Sequence, residues 1–242
     1  MVTTGPVAAE TPPAEFLAAL ASLRSAQVRE EAVIEESPAP RRVAPYAAAF
    51  EASVAIDDPG SATPPPVSRP AAASGPGTPS SEALASGRFV LLYDPDGHPA
   101  WQGRLRVVTF VRANVEHDLA TDPLLTEVAW TWLREALVGR QARFHALGGT
   151  VTRAVSEGFG ALTDQTTQSD VEIRASWTVP ADPDGVGPDL SGHLGAWVDL
   201  LCQAGGLPPS PSGVRTLAVT PVAAEHAKPV QDPPRSDRPA PQ

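Results

Sequence analysis

The strongest amphipathic pattern of the chain is the stretch Asp122-Pro-Leu-Leu-Thr-Glu-Val-Ala-Trp-Thr-Trp-Leu-Arg-Glu-Ala-Leu-Val-Gly139. Asp122 suits an N-cap because its carboxylate can accept N–H groups of the first turn, and Pro123 suits the first helical position. Gly139 is expected to supply a left-handed stop. Apolar residues recur at helical spacing at Leu125, Val128, Ala129, Trp132, Leu133, Ala136 and Leu137. The stretch therefore predicts a helix that packs across neighbouring strands and forms the centre of the core.

Trp130 is the residue of this helix that the apolar stripe does not explain. Residues two apart on a helix point about 200° apart, so Trp130 and Trp132 cannot both face the same core. We expect Trp130 to lie at the edge of the core or to reach across to another element. A tryptophan outside a core is a frequent contact anchor, although packing at an edge is the commoner role. Trp130 is therefore a candidate interaction residue.

The composition limits the classes of function. The chain has 242 residues and a formal net charge of -10, which argues against a broad nucleic-acid or anionic-membrane surface. Its single cysteine, Cys202, excludes an intrachain disulfide framework and a metal site made of cysteines alone. The amino terminus lacks the pattern of a signal peptide, and no run reaches the ~18 apolar residues of a membrane span. These features predict a soluble, acidic, cytoplasmic protein without a membrane partner.

Three segments contain too few large apolar residues to offset the entropy of ordering them. They are a start at residues 1–10, a Pro/Ser/Ala-rich insertion at 57–87 and a Pro-rich tail at 208–242. We predict that these segments are flexible or disordered. A single domain is then expected to be formed by residues 11–56 and 88–207.

Alternating and helical patterns divide this domain into elements. A first helix is expected to open at Thr11-Pro12, with a stripe of Phe16, Leu17, Leu20 and Leu23, and a last helix is capped by Asp189 and stopped by Gly205-Gly206. Val28 to Glu36 is either an edge strand or an extended connector. Asp94-Pro-Asp-Gly97 has the residues of a type I turn. The remaining patterns predict strands at Ala48–Ile56, Arg88–Tyr93, Trp101–Arg112, Thr150–Glu157 and Asp170–Val179.

The predicted order is α-β-β-β-α-β-β-α, which is typical of an α+β fold. Strands joined by hairpins favour a mainly antiparallel sheet of about five strands with the helices packed on one face. The order strand, strand, helix occurs twice, over Arg88–Gly139 and Thr150–Gly205. This repeat indicates a possible ββα duplication. The two halves differ in sequence, so the duplication is one of architecture only.

Six separated motifs occur in the order expected of one known family. They are Glu35-Glu-Ser-Pro-Ala-Pro-Arg-Arg-Val-Ala-Pro-Tyr46, Val90-Leu-Leu-Tyr-Asp-Pro-Asp-Gly97, Asp122-Pro-Leu-Leu-Thr-Glu-Val-Ala-Trp130, Gly148-Gly-Thr-Val-Thr-Arg153, Val171-Glu-Ile-Arg-Ala-Ser-Trp177 and Leu200-Leu-Cys-Gln-Ala-Gly-Gly-Leu-Pro208. With them the chain resembles an actinobacterial domain-of-unknown-function family, numbered three thousand, from Pro13 to about Pro209 apart from the insertion. The resemblance implies no activity, catalytic residue or cofactor, so none is carried over.

The residues that could bind a metal or phosphate, or act as a nucleophile, are better explained by a structural role. The histidines are scattered, and their one tight acidic cluster, Glu116-His117-Asp118, is more typical of a solvated turn than of a metal site. Cys202 lies close to the stripe of the last helix, where a cysteine is usually a small buried hydrophobe rather than a nucleophile. Neither glycine-containing loop, at Gly148-Gly149 or Gly158-Phe-Gly160, has phosphate-binding spacing. We therefore predict no catalytic residue, no metal ligand and no cofactor.

Arginines are concentrated on the predicted strands. If Arg104, Arg106, Arg112 and Arg174 gather on one face of the sheet, they form a possible interaction or anion-binding surface, to which Trp130 could add. Arg153 shares the parity of Val151 and Val155, so it belongs with the buried face or the strand is bulged. Cross-strand pairing with Glu157 and Glu172 could instead neutralise the arginines, and a solvated or paired face is the favoured interpretation.

Three functions are compatible with these patterns. The first is a non-enzymatic binding or protein-interaction module that contacts an unknown protein partner or a second copy through the sheet face or the Trp130 edge. The second is an enzyme or small anionic ligand-binding protein with a pocket between sheet and helices, lined by Trp132, Trp177 and some arginines. The third, a nucleic-acid accessory protein, rests on the arginines alone and conflicts with the net charge. We rank them in this order and do not favour an enzymatic role.

Overall fold

Alternation of apolar and polar residues builds one six-stranded antiparallel sheet in the order β2-β3-β4-β5-β7-β6. The computed structural model describes residues 12–55, 83–163, 167–181, 187–208 and 214–216. The sheet strands are β2 Ala32–Ser37, β3 Tyr46–Val54, β4 Ala85–His98, β5 Gly103–Asn114, β6 His145–Ser156 and β7 Gln168–Val179, and a separate pair joins β1 Gln27–Arg29 to β8 Val214–Thr216. The helices are α1 Ala14–Arg24, α2 His117–Thr121, α3 Leu125–Gly139 and α4 Ser191–Ala204. The α+β class and the antiparallel sheet are confirmed, with six strands where about five were expected.

The predicted disordered segments fall mostly outside the described residues. Residues 1–10 and 209–213, all of the tail after 216, and 57–82 of the insertion lie there, as do Thr11 and Ile56. The last residues assigned to the insertion belong to the sheet, because β4 begins at Ala85 rather than at Arg88. The helix expected to open at Thr11-Pro12 begins at Ala14, with Pro13 as N-cap.

The core forms between one face of the sheet and the helices. On β5 and β7 every second side chain is buried, including Leu105, Val107 and Val111 and, on the neighbouring strand, Ile173 and Trp177. These are the faces that alternation predicts.

The segment Val28 to Glu36 divides into β1 and the edge strand β2, so its interpretation as an edge strand is confirmed for the second part.

The helix at the centre of the core is α4, not α3 as the amphipathic pattern suggested. Ten of its residues are buried, and α4 contacts β3, β4, β5, α1 and α3, whereas α3 contacts mainly α4 and β6. Only a narrow stripe of α3 is buried, at Leu125, Ala129, Leu133 and Leu137, while Val128 is 42% exposed. A helix that is buried on most of its surface, such as α4, is apolar on most sides and has a weak amphipathic pattern. This is why α3, which has one exposed side, has the stronger amphipathic pattern in the sequence.

The ends of α3 differ from the prediction by a few residues. The helix begins at Leu125, and the carboxylate of Asp122 accepts the N–H of Leu124 at 2.8 Å in the preceding turn. Gly139 is still helical, and the residue with positive φ is Gln141, at 55°. The N–H of Gln141 donates to the carbonyl of Val138, and the N–H of Ala142 donates to the carbonyl of Leu137. These two hydrogen bonds satisfy carbonyls in the last turn of α3. By contrast, α4 ends at Gly205-Gly206 as predicted, with Gly206 at a φ of 80°.

The turn predicted at Asp94-Pro-Asp-Gly97 is wrong. Strand β4 continues to His98, with a shift of register between Tyr93 and His98, and the chain reverses at residues 99–102. Trp101 therefore lies in the hairpin turn, where its ring stacks on His98 with centroids 4.6 Å apart. A bulge uses the same turn-forming residues as a hairpin loop, so composition alone does not separate the two.

The strand-strand-helix units are arranged symmetrically in the sheet. Their strands have the order β4-β5-β7-β6, so the second strands of the two units pair at the centre.

None of the helices in the described ranges has the length and apolar character needed to cross a membrane.

Candidate interaction surface

The side of the sheet opposite the helices forms a surface that we call the outer face. Its side chains alternate with those of the core on β4, β5 and β7. Its half-exposed centre is apolar, at Val90, Val108 and Phe110, and Val108 is 38% exposed. Around this centre lie Arg88, Arg106, Arg112, Glu172, Arg174 and Ser176. The outer face therefore combines an apolar middle with surroundings in which arginines alternate with carboxylates.

Arg174 forms the most exposed part of this surface. Its guanidinium lies over the ring of Phe110, with the central carbon 5.3 Å from the ring centroid. One nitrogen also donates to the carboxylate of Glu172 at 2.9 Å, although 64% of the Arg174 side chain remains exposed. Stacking on an aromatic ring holds a guanidinium in place while leaving part of it available to a partner.

Arg112 and Asp170 form a better shielded ion pair on the same face. Their nitrogen and oxygen atoms are 2.7 Å apart, and the carboxylate side chain is only 4% exposed. The hydrogen bond that Arg112 donates to Asp170 raises the pKa of Arg112 above its ordinary value, against the opposing effect of burial. Arg112 Nε, Asp170 Oδ1 and Ser86 Oγ are buried without a hydrogen-bond partner among the described residues. These atoms leave unused hydrogen-bonding capacity at this end of the face.

Arg106 differs from the other arginines because its described partners are neutral. It donates to the hydroxyls of Thr178 at 2.9 Å and Ser176 at 2.6 Å, and to the carbonyl of Ala146 at 3.0 Å. Burial lowers the pKa of Arg106, with no carboxylate opposing that effect. Since guanidinium groups stay protonated at neutral pH, Arg106 contributes a net positive charge that no described acid offsets.

Sequence reasoning did not include Arg88 in this surface. Arg88 pairs with Glu51 of β3 at 2.7 Å and donates to the carbonyl of Pro38. The sequence did carry a signal for it, since Arg88 alternates with Phe89 and lies two positions from Val90. The pairing with Glu51 depends on the register between β3 and β4 and has no local signal.

The other predicted surface residues lie elsewhere. Arg104 pairs with Glu15 of α1 at 3.1 Å. Arg153 is on the helix side of β6, where it donates to the carbonyls of Ala120 and Asp122. Trp130 is also on that side and is partly buried: a Cβ on Gly149 would come within 2.9 Å of its ring. The structure therefore brings Arg106, Arg112 and Arg174 together and separates them from Arg104, Arg153 and Trp130.

A polar cleft of about 440 Å³ lies away from the outer face. It is lined by Ser22, Ser25, Gln27, Arg140, Asp189, Ser191 and Gly192. Its arginine is occupied, because Arg140 makes two hydrogen bonds to the carboxylate of Asp199, at 2.6 and 2.7 Å. Trp177, which was expected to line a pocket between sheet and helices, is fully buried and donates to Nδ1 of His193 at 3.0 Å.

The groups considered for chemistry are placed as follows. Cys202 is fully buried, as its position near the apolar stripe predicted, and burial raises the pKa of its thiol to about 11. A thiol with that pKa is protonated at neutral pH and is a poor nucleophile. Glu116-His117-Asp118 lies at the exposed start of α2. Within the described ranges, no three His, Cys, Asp or Glu residues come close enough to hold a metal ion.

Comparison with known proteins agrees with the motifs quoted from the sequence. No curated protein and no solved structure matches the chain. The model of one family, described as a protein of unknown function (DUF3000), matches residues 12–215, which include the whole six-stranded sheet and all four helices. The chain therefore belongs to the DUF3000 family.

Proposed function

We propose that this protein is a non-enzymatic interaction module that binds a protein partner through the outer face. The observation that supports this most directly is the composition of that face. An apolar centre at Val90, Val108 and Phe110 is surrounded by four arginines, of which three pair with carboxylates and one of these three is stacked on an aromatic ring and 64% exposed. Interface centres are typically enriched in aromatic residues and arginine, with a polar rim.

The size of the face suits a protein rather than a small molecule. Five of the six strands are at least nine residues long. Strands spaced ~4.8 Å apart with ~3.3 Å per residue give a surface of about 800 Å². A standard protein interface buries about 800 Å² on each partner. A flat surface of this area offers little enclosure to a small ligand.

The arrangement of charge indicates the chemistry of the partner. Arg106 has only neutral described partners, and Arg174 keeps 64% of its side chain exposed. A surface that presents an apolar patch beside one or two carboxylates would fill the apolar centre and pair with these cations. Because the whole chain has a net charge of -10, this attraction is local to the face.

A photo-crosslinking amino acid at Val108 tests this proposal in the native cell. Val108 is 38% exposed at the centre of the face, and Val138 on α3, at 69%, is the control position. We expect an adduct of discrete mass from Val108 that is absent from Val138 and is lost when Arg174→Glu is added. Equal adducts at both positions, no adduct from Val108, or an adduct that survives Arg174→Glu would contradict the proposal.

The alternative, a small anionic ligand, has less support. The polar cleft has the volume for a small molecule, but Arg140 in its lining is held by Asp199. An anion there would compete with a carboxylate that is already bound through two hydrogen bonds. A rise in melting temperature with a panel of phosphates and carboxylates would favour this alternative.

A further inference from the structure

Strand β6 is an edge of the sheet with unusual properties. It is twelve residues long, and it pairs on one side with β7 while the described residues offer no strand to its other side. None of its side chains is fully buried. It contains no proline and one charged residue, Arg153, which donates to carbonyls at the end of α2. Exposed edges of this kind are templates for pairing with another strand.

The opposite edge of the sheet is protected in the usual way. Strand β2 has six residues and includes Glu35 and Glu36. Short length and charged side chains are the common means of preventing edge pairing, because two such strands would bring like charges together. Only one of the two edges is therefore suited to pair with a copy of itself.

Exposed apolar residues accumulate beside β6. In the described ranges, six of the eleven exposed large hydrophobic side chains belong to β6, to the connection that follows it or to the α2–α3 segment that contacts it. These are Leu119, Leu124, Val128, Val155, Phe159 and Leu162. Phe159 is 77% exposed and is the most exposed of them. A strand pair alone buries less than the ~800 Å² per partner of a stable interface, and these residues supply further apolar area.

We propose that the protein forms a two-fold symmetric homodimer in which β6 pairs antiparallel with β6 of a second copy. The pairing joins two six-stranded sheets into one continuous sheet of twelve strands. An isologous contact needs a self-complementary surface, which a nearly uncharged strand provides. The dimer is formed by the backbone edge of β6, whereas the interaction proposed above is centred on Val108 of β5, two strands away, so different substitutions test the two proposals.

The regular part of β6 sets the register. Its pairing with β7 is regular from Gly148 to Ser156, and Thr152 is the middle residue. Centring the two-fold axis on Thr152 places Val155 opposite Gly149 of the second copy. Gly149 has no side chain, and Trp130 packs over it, so Val155 gains an apolar neighbour there. The two Thr152 side chains then face each other, a favourable cross-strand pair.

Analytical ultracentrifugation of the full chain between about 1 and about 100 µM measures the dissociation constant of the dimer. Thr152→Lys is the variant designed to disrupt it. Thr131→Lys, at an exposed position of α3, is the control. Two lysines facing each other on the axis should raise the dimer dissociation constant at least about tenfold, while Thr131→Lys leaves it unchanged. A circular dichroism spectrum that matches wild type checks the fold of both variants. A protein that is monomeric over the whole range, or a Thr152→Lys dimer as tight as wild type, overturns the proposal.

Cysteine crosslinking tests the register separately. The native Cys202 is fully buried, so a new surface cysteine is the reactive thiol. Under mild oxidation Thr152→Cys should give a disulfide-linked dimer, because residues opposite each other in an antiparallel pair lie within disulfide distance. Thr131→Cys should stay monomeric on a denaturing gel. A dimer in solution whose Thr152→Cys variant does not crosslink would place the interface elsewhere and overturn the pairing through β6.

Discussion

Trp177 and His193 join the sheet to α4 in a part of the core closed to solvent. The indole N–H donates to Nδ1 of His193 at 3.0 Å, and both residues are at most 1% exposed. Burial lowers the pKa of His193 from 6.5 to about 4, although Asp189 partly opposes the shift. The ring accepts the indole hydrogen bond only while that nitrogen is unprotonated, so the contact depends on a neutral histidine.

The stability of the protein should therefore fall as the pH falls from 6.5 towards 4. In this window the unfolded chain binds a proton at His193 that the folded chain does not, so the free energy of unfolding decreases with decreasing pH. At about 1.4 kcal/mol per pH unit, the contribution lost between pH 6.5 and pH 5 is about 2 kcal/mol. Urea unfolding at pH 7 and pH 5 measures this loss. His193→Gln should be less stable at pH 7 but lose about 2 kcal/mol less on acidification.

The control for this experiment is His98→Gln, which removes an exposed histidine from the end of β4. This variant keeps the buried contact between Trp177 and His193, so it should lose stability on acidification by about as much as the wild type. Equal pH dependence of wild type and His193→Gln would mean that His193 is not the group responsible.

Helix α4 depends on a close approach to the sheet at Gly87. A Cβ at this position would lie 2.5 Å from the carbonyl oxygen of Phe110 and about as close to α4, at 3.0 Å from Trp197 and 3.1 Å from Leu201. The glycine allows α4 to lie directly on β4. Ten residues of this helix are buried and it contacts three strands of the sheet, so a displacement here would affect the packing of the whole helix layer.

Gly87→Ala should lower the free energy of unfolding by about 1–3 kcal/mol, because an added methyl group forces strand and helix apart in a packed core. Chemical denaturation measures the change. Gly139→Ala is the matched control: a Cβ there meets nothing within 4 Å, and the residue lies in a helix. This control should be neutral or stabilising by at most about 1 kcal/mol. A neutral Gly87→Ala would show that α4 has room to move.

Elements with a regular pattern were predictable, and their irregular ends were not. Alternation identified the buried faces of β5 and β7, and Gly205-Gly206 marked the end of α4. The turn at Asp94–Gly97 and the stop at Gly139 were wrong for related reasons. A bulge carries a strand through turn-forming residues, and Gln141 takes the left-handed position that a glycine usually occupies. Both outcomes depend on pairing and packing beyond the local segment.

At the scale of the whole molecule, β3 and β4 bring the two sides of the insertion together. Val54 pairs with Ala85, and the N–H of Leu84 donates to the carbonyl of Val54 at 2.8 Å. The described chain therefore leaves β3 and returns to β4 at adjacent points. Only a few residues are needed to close this hairpin.

Replacing residues 56–82 with a turn of about four glycine, asparagine and aspartate residues should preserve the fold. The free energy of unfolding should rise by about 1.5 kcal/mol, because a shorter loop costs less entropy to close. Thermal and urea unfolding measure the change, and a Gly/Ser segment of the original length is the control, with stability near wild type. A loss of stability in both variants would mean that the insertion packs on the domain.

The sequence by itself determined the class of fold, most of the strands, the buried position of Cys202 and, through its motifs, the family. Periodicity and composition are local properties, and each strand or helix carries them along its own length. Only the tertiary structure decided that α4 is the central helix, that Arg106, Arg112 and Arg174 share a face without Arg104 and Arg153, and that β6 is an exposed edge. Those properties depend on which strands pair and in which register, and that is set by contacts between residues far apart in the chain.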